Sequence, residues 1–321
     1  MKKILITGAL GQIGSELTVK LRKTYGDNHV IATDIRKLDT DVSQAGPFEL
    51  LDVTDGKAMV KIAKKYQVDT IIHMAALLSA TAEANPVFAW NLNMGGLMNA
   101  LETSRECGCH FFTPSSIGAF GPTTPKDDTP QDTVMRPTTM YGINKVSGEL
   151  LADYYHLRFG LDTRGLRFPG LISYETPPGG GTTDYAVEIY YEALKSGKYT
   201  SYIDKGTYMD MMYMPDALNA IVDLMEADPT KLKHRNSFNV TAMSFDPEGI
   251  AAEIRKHIPS FEMKYQVDPI RQQIANSWPN SIDASAAMEE WGFTATYNLE
   301  TMTKDMLEKL REKCCGKMLA N

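Results

Sequence analysis

The sequence predicts an α/β chain: a doubly wound parallel sheet followed by a smaller, discontinuous C-terminal α/β lobe. Three observations predict it. Short β-branched runs alternate with segments of helical spacing through the first half. A glycine-rich turn, Gly8-Ala-Leu-Gly11-Gln-Ile-Gly14, joins the first run to the first helical segment. After Phe168 the texture changes, and Pro177-Pro-Gly-Gly-Gly181 opens a region of shorter elements.

In order, Lys3–Thr7 is a β-branched run ending in glycine and reads as the first strand. Gln12–Tyr25 places Ile13, Leu17 and Leu21 at i, i+4 and i+8, one face of a helix. His29–Asp34 reads as a strand, Gly56–Tyr66 as a helix and Thr70–Met74 as a strand. Asn93–Cys107 reads as a helix, His110–Pro114 as a strand, Thr139–Phe159 as a long helix and Thr163–Phe168 as a strand. Helical crossovers of this length join parallel strands and put helices on both faces of the sheet. Beyond the glycine-rich loop the sequence predicts helices over Ala186–Ser196, Pro215–Ala227 and Pro247–Lys256, strands over Ser237–Val240 and Glu262–Val267, and a closing helix over Leu299–Cys314. This divides the chain into 1–168 and 169–321, with segments around 200–240 returning to the main sheet.

Hydrophobic residues make up 43% and charged residues 23%, proportions of a globular protein rather than a disordered chain. The net charge of -7 argues against a nucleic-acid or anionic-membrane surface. No apolar run is long enough to span a bilayer. The first strand starts by residue 2, which leaves no room for a targeting segment and points to the cytoplasm, unless a precursor has lost one. Cys107, Cys109, Cys314 and Cys315 lack the C-x-x-C spacing, and no histidine pair complements them. Free thiols, and no metal, are expected.

The glycine turn lies between a strand and a helix, and that context carries its meaning. Gly8 permits the tight turn, Gly11 admits a pyrophosphate close to backbone, and Gly14 lets helix and strand approach. The free N–H groups and positive end of the helix then face phosphate. This is a Rossmann-like dinucleotide site, with Leu10, Gln12 and Ile13 as further contacts, although the G-x-x-G-x-x-G spacing is one residue longer than the usual fingerprint. Asp34 ends the second strand about 20 residues after the turn, where a carboxylate accepts a ribose 2′-hydroxyl and repels a 2′-phosphate. NAD is therefore expected over NADP, with Ile35 beside Asp34 and Arg36 as the one feature that also suits a 2′-phosphate. Asp52 and Val53 are candidates for the adenine side. Met74, Ala75 and Ala76 end a strand with small residues that let a cofactor pass, although plain loop alanines explain them equally well.

Tyr141 and Lys145 stand four residues apart on a predicted helix, one turn from each other on one face. An ammonium beside a phenol favours the phenolate, and such a phenol can take a proton from a substrate hydroxyl. The spacing by itself is also common on solvated helices; the dinucleotide site in the same chain is what gives it weight.

Together, the glycine turn and Tyr141-Gly-Ile-Asn-Lys145 resemble the extended short-chain dehydrogenase/reductase family. His73-Met-Ala-Ala76, Asn93-Met-Gly-Gly96 and Pro114-Ser-Ser-Ile-Gly-Ala-Phe-Gly121 extend the resemblance over nearly the whole chain. It implies Tyr141 as general base or acid, Lys145 on the nicotinamide ribose and Ser116, beside Ser115, on the reacting oxygen. It also implies that Asn93 supports Lys145 through water, that Leu171 lies on the cofactor side, and that the chain forms a homodimer through the helices of Asn93–Cys107 and Thr139–Phe159. Relatives that act on nucleotide sugars usually carry an Arg-Asp segment whose arginine grips the pyrophosphate; here Met209 precedes Asp210, and methionine cannot do this. Met209, Met211, Met212 and Met214 read as core filling. The run from Pro169 to Ala186 and Ala75-Ala-Leu-Leu-Ser79 are instead similar to the NAD-dependent L-threonine 3-dehydrogenases of the family. That similarity implies oxidation of the C3 hydroxyl of L-threonine to 2-amino-3-oxobutanoate, with Ser79, Thr182, Thr183 and Asp184 around the amino acid. A helix cap explains Thr182, Thr183 or Asp184 as well. A nucleotide-sugar epimerase or dehydratase, and a non-catalytic NAD-binding regulator, are the alternatives.

Overall fold

The computed structural model describes residues 1–179 and 181–319, with side chains through residue 313. Gly180 of the glycine-rich loop and the side chains of Cys314 and Cys315 lie outside the described residues. In chain order the strands are β1 (Ile4–Thr7), β2 (Val30–Asp34), β3 (Phe48–Leu50), β4 (Thr70–His73), β5 (His110–Ser116), β6 (Thr163–Phe168), β7 (Gly170–Ile172), β8 (Lys198–Ser201), β9 (Met209–Tyr213), β10 (Phe238–Asn239), β11 (Met243–Phe245) and β12 (Glu262–Tyr265). The α-helices are α1 (Gln12–Tyr25), α2 (Asp41–Gln44), α3 (Gly56–Tyr66), α4 (Ser79–Ala84), α5 (Pro86–Cys107), α6 (Met140–Phe159), α7 (Tyr185–Ser196), α8 (Met214–Glu226), α9 (Pro247–His257), α10 (Pro269–Asn276), α11 (Ser285–Trp291) and α12 (Leu299–Leu319).

The main sheet has seven strands in the order β10-β6-β5-β4-β1-β2-β3, all parallel. β1, β2, β4 and β6 are buried along their whole length, as strands covered on both faces must be. The strand order reverses between β1 and β4, which opens a crevice at the carboxyl ends of the strands. This is the expected Rossmann-like sheet. β10 comes from late in the chain yet pairs with β6, through Phe238↔Leu166 and Asn239↔Arg167. A second core, formed by Tyr185, Tyr190, Met209, Tyr213 and Ile250 among others, holds the three-stranded sheet β11-β9-β7 against α7 and α9.

The helices that frame the crevice start and stop on local chemistry. Asp55 accepts the Ala58 N–H at 3.0 Å and caps α3. The Thr139 side chain accepts the Gly142 N–H at 3.1 Å and opens α6, so that Tyr141 and Lys145 lie in its first turns. One boundary departs from the sequence reading: α5 begins at Pro86, not Asn93. Proline suits a first helical turn, but Val87, Phe88 and Trp90 in that turn face outward. No buried stripe marks it, so hydrophobic spacing finds only the later half of the helix. Met209, Met211, Met212 and Met214 are all fully buried.

Candidate active site

The glycine turn follows β1 directly, and α1 starts on Gly11 with no side-chain cap. Gly8 adopts φ +65°, and a Cβ there would sit 2.8 Å from the Ala75 backbone. A Cβ on Gly14 would sit 2.2 Å from the Gly8 carbonyl oxygen. These contacts leave no room for larger residues and bring backbone, not side chains, to the helix N-terminus, where a pyrophosphate meets N–H groups. Asp34 ends β2 beside the turn, and its carboxylate accepts the Leu10 N–H at 3.1 Å and the Arg36 N–H at 3.2 Å. The Arg36 Nε lies 3.8 Å from the same carboxylate on a side chain turned to solvent. Ile35 is exposed.

A single cleft runs from this turn across the carboxyl ends of the strands. Gly8, Gly11, Gln12, Ile13 and Gly14 line one end. Met74, Ala76, Ser115, Ser116, Tyr141, Lys145 and Leu171 line the middle, and Ser79, Thr182, Thr183 and Asp184 the far end. Sequence positions more than 170 residues apart thus meet in one groove. The Lys145 ammonium donates to the Pro114 carbonyl at 2.7 Å and sits 5.3 Å from the centre of the Tyr141 ring. The Ser116 hydroxyl oxygen accepts the Gly118 N–H at 3.1 Å. A Cβ on Gly118 would lie 3.1 Å from the Tyr141 ring and 3.5 Å from the Ser116 hydroxyl oxygen, so the turn after β5 passes close to both.

Several expected residues are engaged by other protein groups. Ser115 borders the cleft, but its hydroxyl hydrogen-bonds the buried Glu149 carboxylate, which pairs with Arg167 at 2.8 Å. Asp52 is exposed and outside the cleft; it accepts the N–H and hydroxyl of Thr54 at 2.9 and 2.7 Å, bonds that hold its pKa below the usual carboxylate value. Val53 is buried, and a Cβ on Gly96 would come within 2.8 Å of it, so it packs α5 onto the sheet. Ala75 backs the glycine turn. Asn93 is buried behind the cleft: its side chain takes the Leu77 N–H at 2.7 Å, and its amide donates to Asn144 at 3.0 Å. It lines a small hollow that also touches Lys145 and His73. His73 hydrogen-bonds the Thr7 hydroxyl at 2.9 Å; burial, then the Lys145 charge, push its pKa down to about 3, so it is a neutral imidazole.

At the far end, Asp184 accepts the Gly181 N–H at 2.7 Å and closes the turn that precedes α7. Ser79 and Thr182 are buried, yet neither hydroxyl bonds another described residue. Sequence reasoning did not single out Leu78, Gly170 and Trp278, which also line the cleft. Trp278 comes from the C-terminal lobe, and no motif or period marks it. The segment after it is pinned by Asp210 on β9, which accepts the Ile282 N–H at 2.6 Å and the Thr241 hydroxyl. Burial, without a Lys or Arg partner among the described residues, raises the Asp210 pKa to about 7.

Residues 4–241 match the model of the NAD dependent epimerase/dehydratase family. The chain belongs to that family. A curated relative, an uncharacterized epimerase/dehydratase of Staphylococcus aureus (strain MRSA252), is 63% identical over 98% of both chains. The X-ray structure of an L-threonine dehydrogenase from Clostridium difficile is 67% identical with TM-score 0.97, covering 98% of each chain. The holo form of a GalE-like L-threonine dehydrogenase from Cupriavidus necator is 48% identical with TM-score 0.94, covering 96% of this chain and 99% of that one. As in the family, NAD is the cofactor. The close-packed glycine turn and the uncapped start of α1 fit its pyrophosphate, and Asp34 fits its ribose. The described residues of this chain contain no group of three His, Cys, Asp or Glu placed to hold a metal, and no helix long and apolar enough to cross a membrane. Cys107 and Cys109 are free thiols.

Proposed function

We propose that the chain oxidises the C3 hydroxyl of L-threonine to 2-amino-3-oxobutanoate, with NAD+ as hydride acceptor. One observation carries the reading. The glycine turn, the Tyr141–Lys145–Ser116 group and the hydroxyls and carboxylate of Ser79 and Thr182–Asp184 share one cleft, which suits a small zwitterionic alcohol. The similarity to proteins described as L-threonine dehydrogenases supports it.

Bound NAD+ supplies the acceptor for the C3 hydride. Tyr141 takes the proton of the C3 hydroxyl as general base, and Ser116 holds the reacting oxygen by a hydrogen bond. Lys145, fixed by the Pro114 carbonyl at 2.7 Å, keeps a positive charge beside the Tyr141 ring, which favours the phenolate that accepts the proton. Asp184 offers a carboxylate to the substrate ammonium, and Ser79 and Thr182 offer donors to its carboxylate. Proton to Tyr141 and hydride to cofactor leave a carbonyl at C3.

The experiment is direct: purified protein with NAD+ is given L-threonine, then L-serine, then UDP-sugars, and NADH absorbance is followed. NADH formed with threonine alone is the expected result. Turnover of a UDP-sugar without net NADH would favour an epimerase; no turnover would favour a regulator. Met209 speaks against the sugar reading, because this buried thioether stands where an arginine would grip a pyrophosphate.

The same reading includes a homodimer. Phe88 and Trp90 on α5, and Leu150, Tyr154 and Leu157 on α6, are all more than 40% exposed, and the two helices pack side by side. An apolar face of this kind marks a protein contact. Light scattering should give twice the mass of the chain, and L150E with L157E should return it to one.

A further inference from the structure

Resting on the threonine reading, one question is what neutralises the α-carboxylate of the amino acid. Lys145 is the one Lys or Arg among the described residues that line the cleft, and its ammonium is committed to the Pro114 carbonyl and to the Tyr141 ring. No arginine fork is available there. The carboxylate must therefore be held by neutral donors, as an anion can be when several hydrogen bonds converge on it.

Three neutral donors at the far end are unusual in being buried and unpartnered: Ser79 at 8%, Thr182 at 4% and Trp278 at 8% exposure. Tryptophan is a donor only, and a buried indole N–H usually has a partner. That of Trp278 has none among the described residues, yet it is not among the sealed, unsatisfied atoms, so it opens into free space. The residue borders the cleft. Its ring packs in the second core, and the backbone that carries it is tied down: the backbone N–H of Trp278 donates to the Ala275 carbonyl at 3.1 Å, and that of Asn280 to the Lys126 carbonyl at 2.7 Å. Ile282 is tied to Asp210 at 2.6 Å. A rigid donor loses little entropy when it binds, which is how a site is pre-organised for a small ligand.

We propose that the indole N–H of Trp278 donates a hydrogen bond to the substrate α-carboxylate, completing a cationless carboxylate site with Ser79 and Thr182. Trp278 is then a specificity residue brought to the cleft by the C-terminal lobe. It selects amino acids over amino alcohols and amides, while the chemistry at C3 stays with Tyr141.

The test is Trp278→Phe, which keeps a ring and removes the donor, read with L-threonine and with L-threoninamide as substrate or competitive inhibitor. A hydrogen bond to a charged group is worth about tenfold or more in affinity. The expected result is a KM for threonine raised about tenfold, kcat within about twofold, unchanged NAD+ affinity by fluorescence titration, and a clearly smaller loss of threoninamide binding, because its neutral carbonyl accepts a weaker bond. Trp278→Tyr, which keeps a ring and a donor, should recover part of the loss. Because threonine and threoninamide are compared on the same preparation, partial unfolding of a variant affects both alike. Equal losses for the two ligands, or an unchanged threonine KM, overturn the proposal and leave Trp278 as packing. A wild-type protein that makes no NADH from threonine removes the threonine reading, and the carboxylate site with it.

Discussion

At one end of the cleft the protein meets its cofactor with backbone; at the other, in the function proposed above, it offers side chains to an amino acid. The glycine turn works by what it lacks: a Cβ on Gly14 would lie 2.2 Å from the Gly8 carbonyl oxygen, and one on Gly8 2.8 Å from Ala75. The far end works by what it carries: Ser79, Thr182, Asp184 and Trp278, from three separate stretches of chain, on a turn closed by Asp184 and a segment pinned by Asp210. There a Cβ on Gly181 would first meet the flexible Asp184 carboxylate, at 3.1 Å. The difference teaches where each end tolerates change. A backbone cradle fails by crowding, and a side-chain site fails by losing a group.

Between the ends stands the chemistry, and the largest effect is expected there. Tyr141→Phe should lower kcat by about 10²–10⁴-fold, the usual contribution of a general base. NAD+ affinity, which belongs to the other end, should hold. Near-normal turnover would remove Tyr141 as the base. Next comes crowding of the cradle. Gly14→Ala should lower NAD+ affinity about fivefold or more, since overpacking costs about 1–3 kcal/mol. Gly181→Ala should leave NAD+ affinity unchanged. Calorimetric titration of both variants checks the contrast, and equal losses would break it.

Asp184 separates charge from capping. Asp184→Asn keeps an acceptor for the Gly181 N–H and loses the charge; Asp184→Ala loses both. If the carboxylate holds the substrate ammonium, both should raise the threonine KM, by about 10-fold or more. If only Ala does so, capping is its whole role. The smallest effect concerns pH. Burial raises the Asp210 pKa from 3.8 to about 7, so the folded chain holds a proton there that the unfolded chain releases near pH 4. Its favourable contribution is complete below about pH 4 and is lost as pH rises through about 7. Asp210→Asn should therefore melt with a weaker fall in Tm between pH 5 and pH 8 than the wild type. Parallel curves would mean that Asp210 stays ionised throughout.

The cofactor end was largely legible in the sequence because its information is local. A strand, a glycine turn and a helix are contiguous, and Asp34 follows at the end of the next strand. Tyr141 and Lys145 were legible for the same reason, as neighbours on one helical turn. Ser115 and Asn93 show the limit. Both were named, but that the Ser115 hydroxyl turns to buried Glu149, and that the Asn93 side chain takes the Leu77 N–H beside the hollow it shares with Lys145, depends on packing that no spacing encodes. The first turns of α5 were hidden because their apolar residues face outward. Trp278 carried no signal at all.

The sequence by itself determined the parallel sheet, the dinucleotide cradle and the Tyr141–Lys145 pair, since each rests on periodicity or on residues a few positions apart. Only the tertiary structure decided which side chains close the far end. It set β6 as the partner of β10 and brought Thr182, Asp184 and Trp278 into one cleft with Tyr141. The physical reason is range. Strand and helix periodicity, turn geometry and local sterics are set by neighbours in sequence, whereas a groove between two cores is set by how those cores pack.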